Sequence, residues 1–182
     1  MIKKPSISEL IKLLDKPALL KWANKPGLAG IDISVKRKEW LSDGTGIHNQ
    51  IEDYVRDGKP FANPDTQDNF KIFMADKKVL SFEKDLSTDY FTGRMDMKVE
   101  WKGRSYIIDF KKSAKGIYFE NKLQLVAYSM AEPCDSFAIV CYPEFRMMNF
   151  SPLDRQPYIE IIKSLSNIYK LKKELDAAVT GL

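Results

Sequence analysis

The sequence predicts an α/β chain with an α-β-β-β-α-β order, in which helices flank a mixed sheet. Three observations predict it. Apolar residues recur at helical spacing between Asp43 and Asp57. Three strand-like segments then succeed one another, roughly Lys78–Lys84, Tyr90–Glu100 and Arg104–Lys111. A helix over Phe119–Ala131 separates them from Ser136–Tyr142, which is apolar almost throughout, as a buried central strand is.

Each element has a local cause. Ser6-x-x-Glu9 is a capping box before Leu10, Ile11, Leu13 and Leu14. Pro17 and Pro26 interrupt the next stretch, so residues 1–41 read as a helical extension of short pieces. It carries the basic run Lys36-Arg37-Lys38 beside Trp40. Asp43 can cap the next helix, which places Ile47, Ile51, Tyr54 and Val55 on one side and stops at Gly58. Asn63-Pro64 is an N-cap and first-turn pair for a helix to about Asp76. The helix 119–131 stops before Pro133. Phe145–Phe150 can pair with the strand before it. Ser151-Pro152 opens a final helix over 151–180, and Gly181 comes after it.

Composition bounds the rest. The chain has 182 residues, 44% hydrophobic and 30% charged, which suits one soluble globular domain. No apolar run approaches a membrane span and no signal-peptide pattern opens the chain, which predicts a cytoplasmic protein with no membrane partner. Two cysteines, Cys134 and Cys141, are too few for a disulfide framework or a four-cysteine iron–sulfur cluster, and are expected as buried thiols. The net charge of +4 permits a polyanionic partner without requiring one.

The chemistry concentrates in residues 90–111. A turn at Lys102-Gly103 sets Val99 opposite Tyr106, Met97 opposite Ile108 and Met95 opposite Phe110, an apolar face expected to be the core side. The other face carries Lys98 opposite Ile107, Asp96 opposite Asp109 and Arg94 opposite Lys111. Two facing carboxylates, with Cβ atoms ~5 Å apart, repel. Flanking Arg94 and Lys111, a shared proton or a bound cation can each compensate, and so can plain solvation of a mixed-charge face. Oxygen ligands at that separation suit Mg²⁺ or Mn²⁺. In Asp109-Phe110-Lys111, strand parity points the lysine where the aspartate points. A carboxylate-held cation with an ammonium beside it is what water-driven phosphodiester cleavage needs.

Other polar residues fall at suggestive places. His48, the one histidine, lies on the helix 43–57 with Glu52 one turn later. Gly44-Thr45-Gly46 before it can mark a helix start or admit a phosphate or metal. Gln124 and Tyr128 sit one turn apart on the helix 119–131, off the apolar stripe of Leu123, Ala127 and Met130. Glu83 lies on the first strand.

Taken in order, these segments resemble a known family. They are Gly44-Thr45-Gly46-Ile47-His48 with Glu52, Thr92-Gly93-Arg94-Met95-Asp96, Ile107-Ile108-Asp109-Phe110-Lys111 and Gln124-Leu-Val-Ala-Tyr128. The order is similar to the RecB-like branch of the PD-(D/E)xK nucleases, and within it to the mitochondrial genome maintenance exonuclease family with its phage and bacterial relatives. The resemblance covers about residues 42–142. It implies a restriction-endonuclease-like core. It also implies His48, Asp96, Asp109 and the Phe110 backbone carbonyl as metal ligands, and Lys111 as catalytic lysine. By the same resemblance Gln124 and Tyr128 form a motif that positions the site and the DNA. Glu52 and Glu83 are candidate further ligands, Glu83 by its place on the first strand. The four-cysteine iron–sulfur cluster of some relatives is not expected, because only two cysteines are present.

The expected activity is therefore a metal-dependent DNA exonuclease that uses one or two Mg²⁺ or Mn²⁺ ions on DNA with a free end, single strands included. The link with DNA repair and recombination, and a phage-encoded origin, come from the resemblance alone. Arg94, Lys112, Lys115 and Lys122 are candidate phosphate contacts, together with the Lys36-Arg37-Lys38 run; Trp40 or Tyr118 can stack on bases. A structure-specific endonuclease or resolvase, and an inactive DNA-binding module on the same fold, stand as alternatives.

Overall fold

The computed structural model of the chain describes residues 3–14, 46–112 and 116–180. Asp43, Gly44-Thr45, the Lys36-Arg37-Lys38 run, Trp40 and Lys115 lie outside the described residues.

Helix α1 (Ile7–Ile11) is too short to persist alone. The capping box starts it: the Glu9 amide donates to Ser6 Oγ at 3.2 Å and the Ser6 amide donates to Glu9 Oε2 at 2.8 Å. Burial of Ile7, Leu10 and Ile11 holds it. Helix α2 (46–57) buries Ile47 and Ile51 and ends at Gly58, where φ is +69° and the amide donates to the Tyr54 carbonyl. Helix α3 (Pro64–Met74) starts as expected, with Asn63 accepting from the Thr66 amide, and buries Phe70 and Phe73.

The strands are β1 (Lys78–Ser87), β2 (Thr92–Trp101), β3 (Arg104–Lys111), β4 (Ser136–Cys141) and β5 (Arg146–Phe150). They form one five-stranded sheet in sequence order. Only β3 and β4 run parallel, joined by helix α4 (Phe119–Ala131), so the sheet is mixed and the architecture is α/β. The β2–β3 register is the one the turn implied, with Val99 opposite Tyr106, Lys98 opposite Ile107 and Met97 opposite Ile108. Lys102 and Gly103 both take positive φ, the two-residue geometry that fits strand twist. Lys102 accepts that conformation although it is not glycine.

Helix α5 (Gln156–Thr180, 25 residues) begins five residues later than Ser151 suggested. Asp154 Oδ1 accepts from the Gln156 amide at 2.8 Å and so takes the cap role away from Ser151. Ile162, Leu165 and Ser166 are buried against the body, and residues 170–179 are exposed.

Both faces of the sheet are covered by helices, as expected, and this includes the face of the β2–β3 hairpin that the sequence suggested was polar. Helices α2 and α3 seal one face with Ile51, Phe70 and Phe73 against Met97, Val99, Ile108 and Phe110. Helices α1, α4 and α5 seal the other with Leu10, Leu123, Val126 and Ile162 against Ile107, Phe137 and Ile139. Ile107, on the face read as polar, has 0% of its surface exposed. Met95 packs with the α4 side while Met97 packs with the α2 side. Side-chain alternation along β2 therefore breaks at Asp96. Cys141 is buried and Cys134 is half-buried, with burial raising the Cys134 thiol's pKa.

Candidate metal centre

The site forms where β2 parts from β3. Their ladder ends at Met97 and Ile108, one pair short of Asp96 and Asp109. Beyond that point β3 tracks β4 alone, through Lys111 opposite Cys141. The peptide of Phe110 is left without a strand partner on the β2 side, and side chains take both its polar groups. Its amide donates to Asp96 Oδ2 at 2.8 Å. Its carbonyl accepts from His48 Nε2 at 3.2 Å. A carboxylate and an imidazole thus replace a stretch of ladder, which satisfies groups that are costly to bury unpaired.

At the start of β2, Pro5 and Ser6 occupy the gap that β3 leaves. The Thr92 amide donates to the Pro5 carbonyl at 2.9 Å, and Ser6 bridges Thr92 in parallel.

On the other side of Asp96, the β1–β2 ladder runs from Phe82 opposite Met97 to Lys84 opposite Met95. Glu83, between them, has φ +44°, a left-handed conformation that costs an L-residue ~1–2 kcal/mol. The strained residue carries a carboxylate into the site. One ligand atom each from His48, Glu83 and Asp96 lies within 4.8 Å of the others. His48 Nδ1 stands 3.7 Å from Asp96 Oδ2.

Electrostatics at this point favour a cation. Burial, then the nearby Asp109 charge, raises the Asp96 pKa well above the ordinary carboxylate range. Burial and the charge of Glu52 raise that of Glu83, while Arg94 and Arg56 oppose them. Burial lowers the His48 pKa against the pull of Asp109, so its imidazole is held neutral as a ligand must be.

Asp109 is 2% exposed. Its Oδ1 accepts from Lys111 Nζ at 3.0 Å; Oδ2 lies 2.8 Å from the same nitrogen but accepts no hydrogen bond. His48, Glu83 and Asp96, one imidazole with two carboxylates, fit a hard divalent cation such as Mg²⁺ or Mn²⁺; Asp109 is not one of that close group, though its charge is felt at both His48 and Asp96. Burial alone would lower the Lys111 pKa, but the charges of Asp109 and Asp96 outweigh it and raise the ammonium.

The remaining candidates divide. Gln124 Nε2 donates to Tyr128 Oη at 2.7 Å, so the pair acts as one wall on the α4 side. Burial raises the Tyr128 phenol pKa, and the charges of Asp96, Asp109 and Glu83 add to it. Glu52 pairs with Arg56 at 2.8 Å, one helical turn on.

Arg94 does not face Lys111. Past the split only β1 is beside it, and Asp85 holds it through Nε at 2.8 Å and Nη2 at 3.3 Å. Lys112 is exposed rather than turned toward the core, because β3 ends at Lys111. Lys122 points to the far edge of the sheet, its ammonium 5.2 Å from the centre of the Phe150 ring on β5. Tyr118 is exposed at the start of α4.

Sequence reasoning overlooked Arg56 at the site. The signal was present: His48, Glu52 and Arg56 repeat at four-residue spacing on one helix.

No protein-family model and no curated protein matches the chain. Solved structures do, among them the crystal structure of SSO0001. It is 15% identical, with a TM-score of 0.45, over 92% of this chain and 79% of that one.

Proposed function

We propose that the chain is a divalent-metal-dependent deoxyribonuclease of the RecB-like PD-(D/E)xK type, acting as an exonuclease. One observation carries the proposal: His48, Glu83 and Asp96 converge at the split between β2 and β3, and Lys111 stands on Asp109 beside them. His48, Glu83, Asp96, Asp109 and the Phe110 carbonyl would hold one or two Mg²⁺ or Mn²⁺ ions. When bound, such an ion polarises a phosphoryl oxygen and acidifies water at neutral pH.

The chain's own groups do the rest. His48 enters as a neutral donor. Lys111 keeps its proton, so it serves as a hydrogen-bond donor and positive charge toward the attacking water and the developing phosphoryl charge, not as a base. Its side chain is one-third exposed, enough to meet substrate while Asp109 fixes its direction. Tyr128 and Gln124 wall the site, and the exposed guanidinium of Arg94 can reach a phosphate.

The test is digestion of end-labelled linear and circular DNA, single- and double-stranded, with Mg²⁺ or Mn²⁺ and with EDTA. Loss of linear DNA from its ends, with circles spared, supports the exonuclease. Cutting of circles identifies an endonuclease. Binding of DNA without cleavage under any metal points to an inactive module and overturns the enzyme.

A further inference from the structure

We infer that Arg56 is a second phosphate-binding residue and that, with Arg94, it grips the nucleic-acid backbone beside the group of His48, Glu83 and Asp96; this rests on the nuclease proposal. Neither arginine is built into the core. Their side chains are 54% and 55% exposed. Each is paired with an acidic neighbour, Arg56 with Glu52 at 2.8 Å and Arg94 with Asp85 at 2.8 Å. Arg94 Nε lies 4.0 Å from Glu83 Oε2, and Arg56 stands on α2 two turns beyond His48.

The spacing suits a polymer rather than a single anion. Arg56 is eight residues beyond His48 on α2, about 12 Å along the helix axis. That is the rise of roughly three phosphates along one duplex strand. Arg94 is two residues before Asp96, about 7 Å along β2. Beside Arg94 an open cavity of about 530 Å³ continues the path, lined by Ser6, Asp85, Ser87 and Thr92. A guanidinium presents a planar fork that matches phosphate, and an exposed ion pair is weak enough to exchange its carboxylate for one. Glu52 and Asp85 then serve as parking partners that keep both forks extended before substrate arrives.

The experiment uses the full chain. Arg56→Ala, Arg56→Lys and Arg94→Ala are made in the active protein and, for binding alone, in Asp109→Asn. Lys71→Ala on α3, an exposed cation paired with Asp68, is the control. Steady-state cleavage of an end-labelled oligonucleotide gives kcat and KM. Fluorescence anisotropy of the same oligonucleotide over a salt series gives affinity and its salt slope. Arg56→Ala should raise KM about tenfold with kcat little changed. It should also lower the salt slope by about 0.7 to 0.9, one phosphate contact, and Arg56→Lys should restore the slope. Arg56→Ala and Arg94→Ala together should lower the slope about twice as far.

An unchanged KM and slope in Arg56→Ala, in a protein that cleaves DNA, overturns the inference and leaves the nuclease standing. A fall in kcat alone also overturns it, because Arg56 would then act through Glu52 and Glu83. A parent protein that neither binds nor cleaves DNA removes the nuclease proposal itself.

Discussion

Gly93 on β2 lies directly against the Tyr128 ring on α4: a Cβ placed on Gly93 would sit 3.1 Å from Tyr128 Cε1 and 3.4 Å from Ile7 Cγ2. Tyr128 is buried, so its ring has little room to withdraw. The absence of a side chain at position 93 is what lets the tyrosine ring pack against β2.

Gly93→Ala should therefore destabilise the fold by about 1 kcal/mol, although alanine is the better strand residue. It should also impair cleavage through the displaced Gln124–Tyr128 wall. Urea denaturation checks the first effect. A more stable Gly93→Ala protein would mean that the Tyr128 contact is loose.

Asp109→Asn should abolish cleavage without unfolding the chain. Asparagine keeps the shape but removes the charge that orients Lys111 and would attract a cation. Near-normal hydrolysis by a variant with native circular dichroism would detach Asp109 from the site.

Lys111→Ala should lower kcat by roughly 10²- to 10³-fold and leave KM nearly unchanged, as expected for a donor used at the developing charge. Lys112→Ala should do the reverse, weakening DNA binding modestly and sparing kcat, since Lys112 is exposed past the strand end. The two kcat values decide the matter; an inactive Lys112→Ala beside an active Lys111→Ala would shift the register by one residue.

His48→Ala should weaken Mn²⁺ binding about tenfold or more, measured by calorimetry in the absence of DNA. The substitution also leaves the Phe110 carbonyl without its donor. Equal Mn²⁺ affinity in both proteins would assign His48 to that carbonyl alone.

Glu132 supplies a prediction on stability. It closes α4 and receives Lys84 from β1 and Lys98 from β2, the latter at 2.9 Å. Hydrogen bonds from Lys84 and then Lys98 lower its folded pKa. A depressed folded pKa stabilises above the unfolded value and is lost as pH falls through the folded one. Glu132→Gln should cost about 1 kcal/mol at neutral pH, and the difference from the parent should shrink as the pH is taken below the ordinary glutamate range. A constant difference across that range would make the contact one of shape rather than charge.

Much of the fold was legible in the residues. The β2–β3 register came from a two-residue turn and an unbroken alternation from Val99 to Met97 and from Tyr106 to Ile108. What failed lies just beyond. Whether Asp96 faces Asp109 across a ladder, or takes the Phe110 amide with its carboxylate, depends on competition for one N–H group, and no pattern of residue types records that competition. Arg94 faces Asp85 rather than Lys111 for the same reason: past Met97 the partner beside it is β1, not β3. The start of α5 went wrong because Ser151-Pro152 and Asp154 are both acceptable caps, and only the fold chooses. Burial of the second face was hidden because Ile107 stands alone among polar neighbours on its strand.

The pairing of Pro5 and Ser6 with Thr92 has a consequence for assembly. The Thr92 amide and the Pro5 carbonyl are separated by a long stretch of chain, so their contact closes a large loop late and at an entropic cost. The β2–β3 hairpin can form locally around Lys102-Gly103, but the segment that pairs with its other end, Pro5 and Ser6, is some 87 residues away in the chain. Hydrogen exchange should accordingly protect the hairpin amides near the turn before that of Thr92 during refolding. A fusion or deletion that displaces Pro5 would leave the strands paired at their turn and ragged at the end where the carboxylates gather.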